Sequence, residues 1–154
     1  MMLEFFLPLI PPKITAQEHK TQIVKSSKSK SGYKPVFFDP PELKAATAKI
    51  TAHLAKYAPD VPFRAPVRLV TKWCWPCEGT EHADGDYYTD KPDTHNVVKM
   101  PVDVMARLGF FENDCHIASE TIEKFWACVP GIWIHLEELT DPARRCPGPT
   151  EEDE

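Results

Sequence analysis

Polar and apolar side chains alternate most regularly from Val67 to Trp75. Val67, Leu69, Thr71, Trp73 and Trp75 fall on one side, with Arg68, Val70, Lys72 and Cys74 on the other. That period of two belongs to a strand with unlike faces. Ile117 to Trp126 and Ile132 to Leu139 alternate in the same way, and Ala127-Cys128-Val129-Pro130-Gly131 between them predicts a hairpin turn. Leu3 to Leu7 reads as a short first strand. Helical spacing appears twice. Leu43, Ala46, Thr47, Ile50, Leu54 and Tyr57 recur on one stripe after the start signal Asp39-Pro40-Pro41-Glu42, and Pro59 and Pro62 end it. Val98, Val102 and Met105 mark a second helix from about Thr94 to Leu108, stopped by Gly109. Pro101 lies inside it and, lacking a donor, should kink or delay it. The order of elements predicts an α+β domain, with two helices packed on one face of a small mixed β-sheet.

Two segments carry no such period. Glu78 to Asp90 is polar and contains Gly79 and Gly85, so it reads as a loop. From Thr21 to Lys34, lysines interleave with serines ahead of Gly32, too little apolar surface to order a segment. A mobile basic loop over residues 24–34 is the expectation. Residues 1–142 then form one domain, and 143–154 an acidic, frayed tail.

Composition narrows the class. A chain of 154 residues, 42% apolar and 27% charged, suits one soluble core. Phe5, Phe6, Leu7, Leu9 and Ile10 are apolar, but Glu4, Pro8 and Pro11 interrupt them and no basic stretch precedes. No export signal or membrane span is expected, and the cytoplasm is the expected compartment. Five cysteines, an odd number, then point to reduced thiols. The net charge of −5 hides a division: residues 1–72 hold twelve Lys/Arg and five Asp/Glu, residues 73–154 six and eighteen. Such a chain can hold a polyanion with one part and a cation with the other; charge segregated by chance between two solvated halves is the alternative.

The candidate chemistry lies between Lys91 and Asp114. Asp93 stands at a helix start, and His95, Lys99 and Asp103 follow at i, i+4 and i+8, one face of an unbroken helix. Asp114 arrives five residues after Gly109, on a turn entering a strand that could return it to Asp93. Carboxylates suit Mg²⁺, which takes one or two protein oxygens, keeps waters and accepts substrate phosphate. Lys99 could reach the same phosphate. The competing reading is ordinary: acidic residues near a helix start often serve only its dipole. Lys25, Lys28, Lys30 and Lys34, with Lys13 and Lys20 ahead of them, would grip a DNA backbone or merely solvate a linker.

Pro92, Asp93, Asn96, Lys99, Asp103, Gly109, Phe110 and Asp114, then Glu123-Lys124-Phe125-Trp126 and Pro130-Gly131-Ile132, stand in an order that resembles the RusA family of Holliday junction resolvases. That signature reads P-D-x-D-N-x-x-K, an Asp four residues on, G-[FW]-x-x-D-D before a strand, and a K-x-W-like end. The resemblance runs from Pro66 to Leu139, with a looser match at Pro11-Pro12-Lys13-Ile14-Thr15-Ala16-Gln17. It implies a small, homodimeric, Mg²⁺-dependent endonuclease of RusA-like fold, often carried by phages and prophages, that cuts four-way DNA junctions symmetrically. Carried over by position, Asp93 and Asp114 are metal-binding aspartates, Lys99 the essential lysine, and Asn96 and Asp103 supporting residues.

Two positions depart from the signature. His95 stands where the family has aspartate, and Asn113 replaces the first of the D-D pair. A histidine can ligate a divalent metal but removes a negative charge and favours softer ions. Two alternatives follow: Mn²⁺ in place of Mg²⁺, or junction binding without cutting. Cys74-Trp75-Pro76-Cys77, with His82 nearby, raises a third reading, a zinc- or thiol-dependent interaction module. No second C-x-x-C completes it, and Cys115, Cys128 and Cys146 have no partner spacing. Trp73, Trp75, Trp126 and Trp133 read as core or dimer aromatics, His53 as structural, and His116 as a neighbour of Asp114's site or a surface residue.

Overall fold

The computed structural model describes residues 1–16 and 20–140, Lys20 by its backbone alone. The expected tail at 143–154, and Cys146 within it, lie outside the described residues. In chain order the elements are β1 (Met2–Leu7), β2 (Lys20–Lys25), β3 (Tyr33–Phe38), α1 (Pro41–Ala55), β4 (Val67–Pro76), α2 (Thr94–Val97) and α3 (Lys99–Arg107). A 3₁₀ turn (Asp114–His116), β5 (Ile117–Ala127) and β6 (Gly131–Glu138) follow.

The predicted α+β arrangement is present, built on a mixed four-stranded sheet in the order β1-β6-β4-β5. β4 runs parallel to β5 and antiparallel to β6, which pairs antiparallel with β1. The period-two face of β4 is the buried one: Val67, Leu69, Thr71, Trp73 and Trp75 are almost wholly enclosed. They share a single core with Phe5, Leu7, Ile132, Ile134 and Leu136 of the sheet and with Leu43, Ile50, Leu54, Val104 and Met105 of the helices. The polar atoms this buries are partnered: Trp73 Nε1 donates to Thr71 Oγ1 at 2.9 Å and Trp75 Nε1 to the Pro11 carbonyl at 3.0 Å. The other sheet face carries charges instead, with Arg68 on Glu137 at 2.7 Å and Lys72 over the Trp133 ring at 5.2 Å.

Three expectations are corrected. β5 and β6 do not form a hairpin, because β4 lies between them and pairs with both. Alternation reports the face a residue takes, not the strand beside it. The link Cys128-Val129-Pro130 passes the end of β4, crossing two strand spacings of about 4.8 Å each, within the reach of extended chain. Second, the basic segment at 24–34 is not all loop: β2 and β3 pair antiparallel from Lys20↔Phe38 to Lys25↔Tyr33. Its order comes from backbone bonds rather than burial. The Ser26 N–H donates to the Gly32 carbonyl at 2.8 Å, and Gly32 takes φ +76°, which closes the turn. Third, Pro40 rather than Asp39 occupies the cap of α1, with no side-chain cap bond.

The second predicted helix is divided. α2 ends at Val97 and α3 starts at Lys99, so Pro101 falls in the first turn of α3, where backbone donors lack helical partners anyway. The Val102 N–H bonding the Val98 carbonyl at 3.1 Å bridges the joint. Gly109, at φ +84°, ends α3 as predicted. No helix among the described residues is long and apolar enough to cross a membrane.

Candidate functional site

Asp93 occupies the cap position of α2 in extended conformation, φ −67° and ψ 152°. Its carbonyl accepts from the Asn96 and Val97 N–H groups at 3.1 and 2.9 Å, while its carboxylate makes no cap bond and stays exposed. A carboxylate at a helix start with no capping duty is free for another partner. His95 follows on α2, and Lys99 opens α3.

Across from them, Asn113 caps the 3₁₀ turn by accepting from the Cys115 N–H at 3.0 Å. Asn113, the departure from the D-D pair of the resembled signature, thus does local structural work. Asp114 next to it is exposed.

Of the predicted residues, His95, Lys99, Asp103 and Asp114 meet in one open cleft. His95, Lys99 and Asp103 form one wall, Asp114 and Glu120 the other, with Val98, Val102 and Ile117 between them. The joint at Val98 does not scatter the face predicted for an unbroken helix. The cleft encloses about 380 Å³, enough for a phosphate group and its waters at roughly 30 Å³ of liquid volume per water. Lys99 and Asp103 also border a second cleft with Asp39, Thr47 and Arg107, and so stand on a ridge between the two. Asp93 is not in the wall of the first cleft; it sits two residues ahead of His95, which is. Asn96 is half-buried behind that wall.

Glu120 escaped the sequence reading. The parallel register pairs Glu120 with Leu69 and Ile122 with Thr71, so it points to the helix-covered side of the edge strand β5. Desolvation in the cleft raises its carboxyl above the usual range, and His95 draws it back down. One signal existed: alternation along β5 puts a carboxylate on the same side as Ile122 and Trp126.

The donor chemistry fits a hard divalent cation. Three carboxylates, Asp103, Asp114 and Glu120, line one cleft beside an imidazole and an ammonium. Among the described residues no three His, Cys, Asp or Glu side chains stand close enough to hold an ion by themselves. A divalent cation there would need waters and substrate oxygen to complete its shell.

The remaining predicted residues lie elsewhere. Lys25 and Lys34 are on β2 and β3, Lys28 and Lys30 on the turn joining them, and Lys13 ahead of the hairpin; all five are exposed. No ion pair among the described residues involves them. The side chain of Lys20 lies outside the described residues.

The cysteines regroup. Cys77 faces Cys128 at 3.9 Å between sulfurs, a pairing that spacing did not reveal. Burial pushes the Cys74 thiol up, and hydrogen bonding to Cys77 raises that of Cys128, so both favour the protonated form. His82 stacks on Trp126 with ring centroids 4.3 Å apart. His116 borders a different cavity, with Phe63, Arg64 and Glu112, and its Nδ1 is enclosed without a partner among the described residues.

A family model described as Endodeoxyribonuclease RusA matches residues 11–137. Among the curated proteins compared, none matches the chain.

Proposed function

Because the chain belongs to the RusA endodeoxyribonuclease family, we propose that it resolves four-way DNA junctions as a homodimer, by metal-dependent phosphodiester hydrolysis. The observation that carries this reading is the single cleft in which Lys99 faces Asp114 and Glu120. It puts an ammonium and oxygen donors around a space that admits a phosphate group with its waters.

In this reading Asp93, His95 and Asp114 serve the cation, Mg²⁺ or, given the imidazole, Mn²⁺, at most two of them directly and the rest through its waters. When bound, the ion supplies charge neutralisation at a phosphate oxygen and activation of a water. Lys99 balances the negative charge that grows on the phosphate oxygens as the bond to the leaving oxygen stretches. Asp103, one turn on, faces the same cleft. Asn96 supports the wall from behind. Lys13, Lys20, Lys25, Lys28, Lys30 and Lys34 contact the DNA backbone away from the scissile bond. Symmetric cutting of two strands requires two such sites, hence two copies of the chain.

The second reading, junction binding without cutting, rests on His95. Glu120 weighs against it, because it returns a carboxylate to the cleft in which His95 stands. The deciding assay is cleavage of a synthetic four-way junction in Mg²⁺ and in Mn²⁺. Cutting is expected in at least one, and lost in Asp93→Asn and in Lys99→Ala with junction binding retained. Undiminished cutting by either variant refutes the assignment of its residue. No cutting by the parent chain in either metal leaves the binding-only reading.

A further inference from the structure

The approach to Asp93 is held by side chains rather than by secondary structure. Residues 89–93 belong to no helix or strand. Three consecutive carbonyls in this stretch nevertheless have donors. The Lys124 ammonium donates to the Asp90 carbonyl at 2.9 Å and to the Pro92 carbonyl at 2.7 Å. Between them the Tyr88 hydroxyl donates to the Lys91 carbonyl at 3.0 Å. Tyr88 is itself fixed: it is 2% exposed, stacks on Trp75 at 4.1 Å, and bonds the Lys124 carbonyl through its N–H at 2.9 Å. The Lys124 ammonium also lies 5.3 Å from the centre of the Tyr88 ring.

Among the described residues this ammonium has no carboxylate partner. The half-buried cation is directed at backbone carbonyls instead. The Pro92 carbonyl belongs to the peptide unit that ends at the nitrogen of Asp93. Its restraint therefore fixes where the Asp93 backbone, and with it the carboxylate, begins. The register explains the reach: Lys124 pairs with Trp73 and lies on the same side of β5 as Glu120, the side facing α2.

We infer that Lys124, with Tyr88, is a positioning residue that sets the Asp93 carboxylate for the cation. The inference rests on the nuclease reading above. It assigns Lys124 no contact with DNA and no part in bond breaking.

The test uses the full chain and Mn²⁺ as probe, with binding followed by calorimetry on Lys124→Met, Lys124→Arg, Tyr88→Phe and Asp93→Asn. Loss of a group that orients a ligand costs roughly 10- to 100-fold in metal affinity. That loss is expected for Lys124→Met, with a several-fold loss for Tyr88→Phe and partial recovery for Lys124→Arg. Junction cleavage should show a raised half-saturating metal concentration, with the rate largely restored at high metal and junction affinity unchanged. A purely structural role would lower the melting temperature and leave the metal titration where it was. Should Lys124→Met fail to fold, Tyr88→Phe and Lys124→Arg decide, since each keeps the bulk of the side chain. Parental Mn²⁺ affinity in the folded variants overturns the inference. If Asp93→Asn also binds Mn²⁺ and cuts like the parent chain, the nuclease reading of Asp93 fails. If Asp93→Asn alone is defective, only the role of Lys124 fails.

Discussion

The hairpin of β2 and β3 makes the proposed DNA contact measurable through salt. Its strands pair with each other alone, and Lys25, Lys28, Lys30 and Lys34 are exposed and outside every ion pair among the described residues. Their charge is therefore free to neutralise phosphates. Each phosphate contact on duplex contributes about −0.9 to the slope of log K against log salt, so four contacts contribute roughly −3.6 per engaged chain. Over a fourfold rise in salt, that is on the order of a hundredfold in affinity. Replacing all four lysines by glutamine should flatten the slope by about 3–4 per engaged chain, and the two binding curves should converge as salt rises. Fluorescence anisotropy of a labelled four-way junction across a salt series reads this directly. The melting temperature should hold, because none of the four side chains is buried. An unchanged slope would show that the hairpin does not touch the DNA backbone, whatever else it does.

Three further outcomes follow from the structure. A Cβ added at Gly131 would run into the Phe6 ring and lie 2.7 Å from the Leu7 carbonyl oxygen, which β1 holds in place. Gly131→Ala should therefore cost about 1–3 kcal/mol by overpacking, seen as a lower denaturation midpoint; an unchanged midpoint would mean that β1 yields freely. Glu138 accepts from the Arg64 N–H at 2.8 Å, which holds its carboxyl below the usual range. The folded state then binds that proton less readily than the unfolded one, so the contribution is present above the ordinary glutamate pKa and lost as pH falls through the lowered one. Glu138→Gln should remove part of the acid destabilisation seen in melts between neutral and acid pH; parallel curves would argue otherwise. Glu120→Gln should raise the Mg²⁺ or Mn²⁺ concentration needed for half-maximal cutting without lowering thermal stability at neutral pH. Parental metal dependence would place Glu120 outside the working site.

Much was legible in the residues themselves, because the signals were local. The two faces of β4 follow from its alternation, since side-chain direction along a strand has a period of two wherever the strand lies. Gly109 ends α3 because a left-handed residue is needed there. Asp93, His95, Lys99 and Asp103 could be placed together because they sit within three turns of one another. The joint at Val98 left His95, Lys99 and Asp103 on one wall, with Asp93 outside it.

What needed the tertiary structure was every relation between distant segments. Alternation could not say that β4 separates β5 from β6, because a pleated strand looks the same to either neighbour. Only that order sets Glu120 opposite His95 and brings Lys124 to the carbonyls before Asp93. The sulfurs of Cys77 and Cys128 meet for the same reason, at the adjacent ends of two parallel strands. Sequence alone determined which chemical groups the first wall of the cleft carries. The parallel crossover from β4 to β5 decided what stands opposite them, because it is long-range pairing that brings remote stretches of chain within hydrogen-bonding distance.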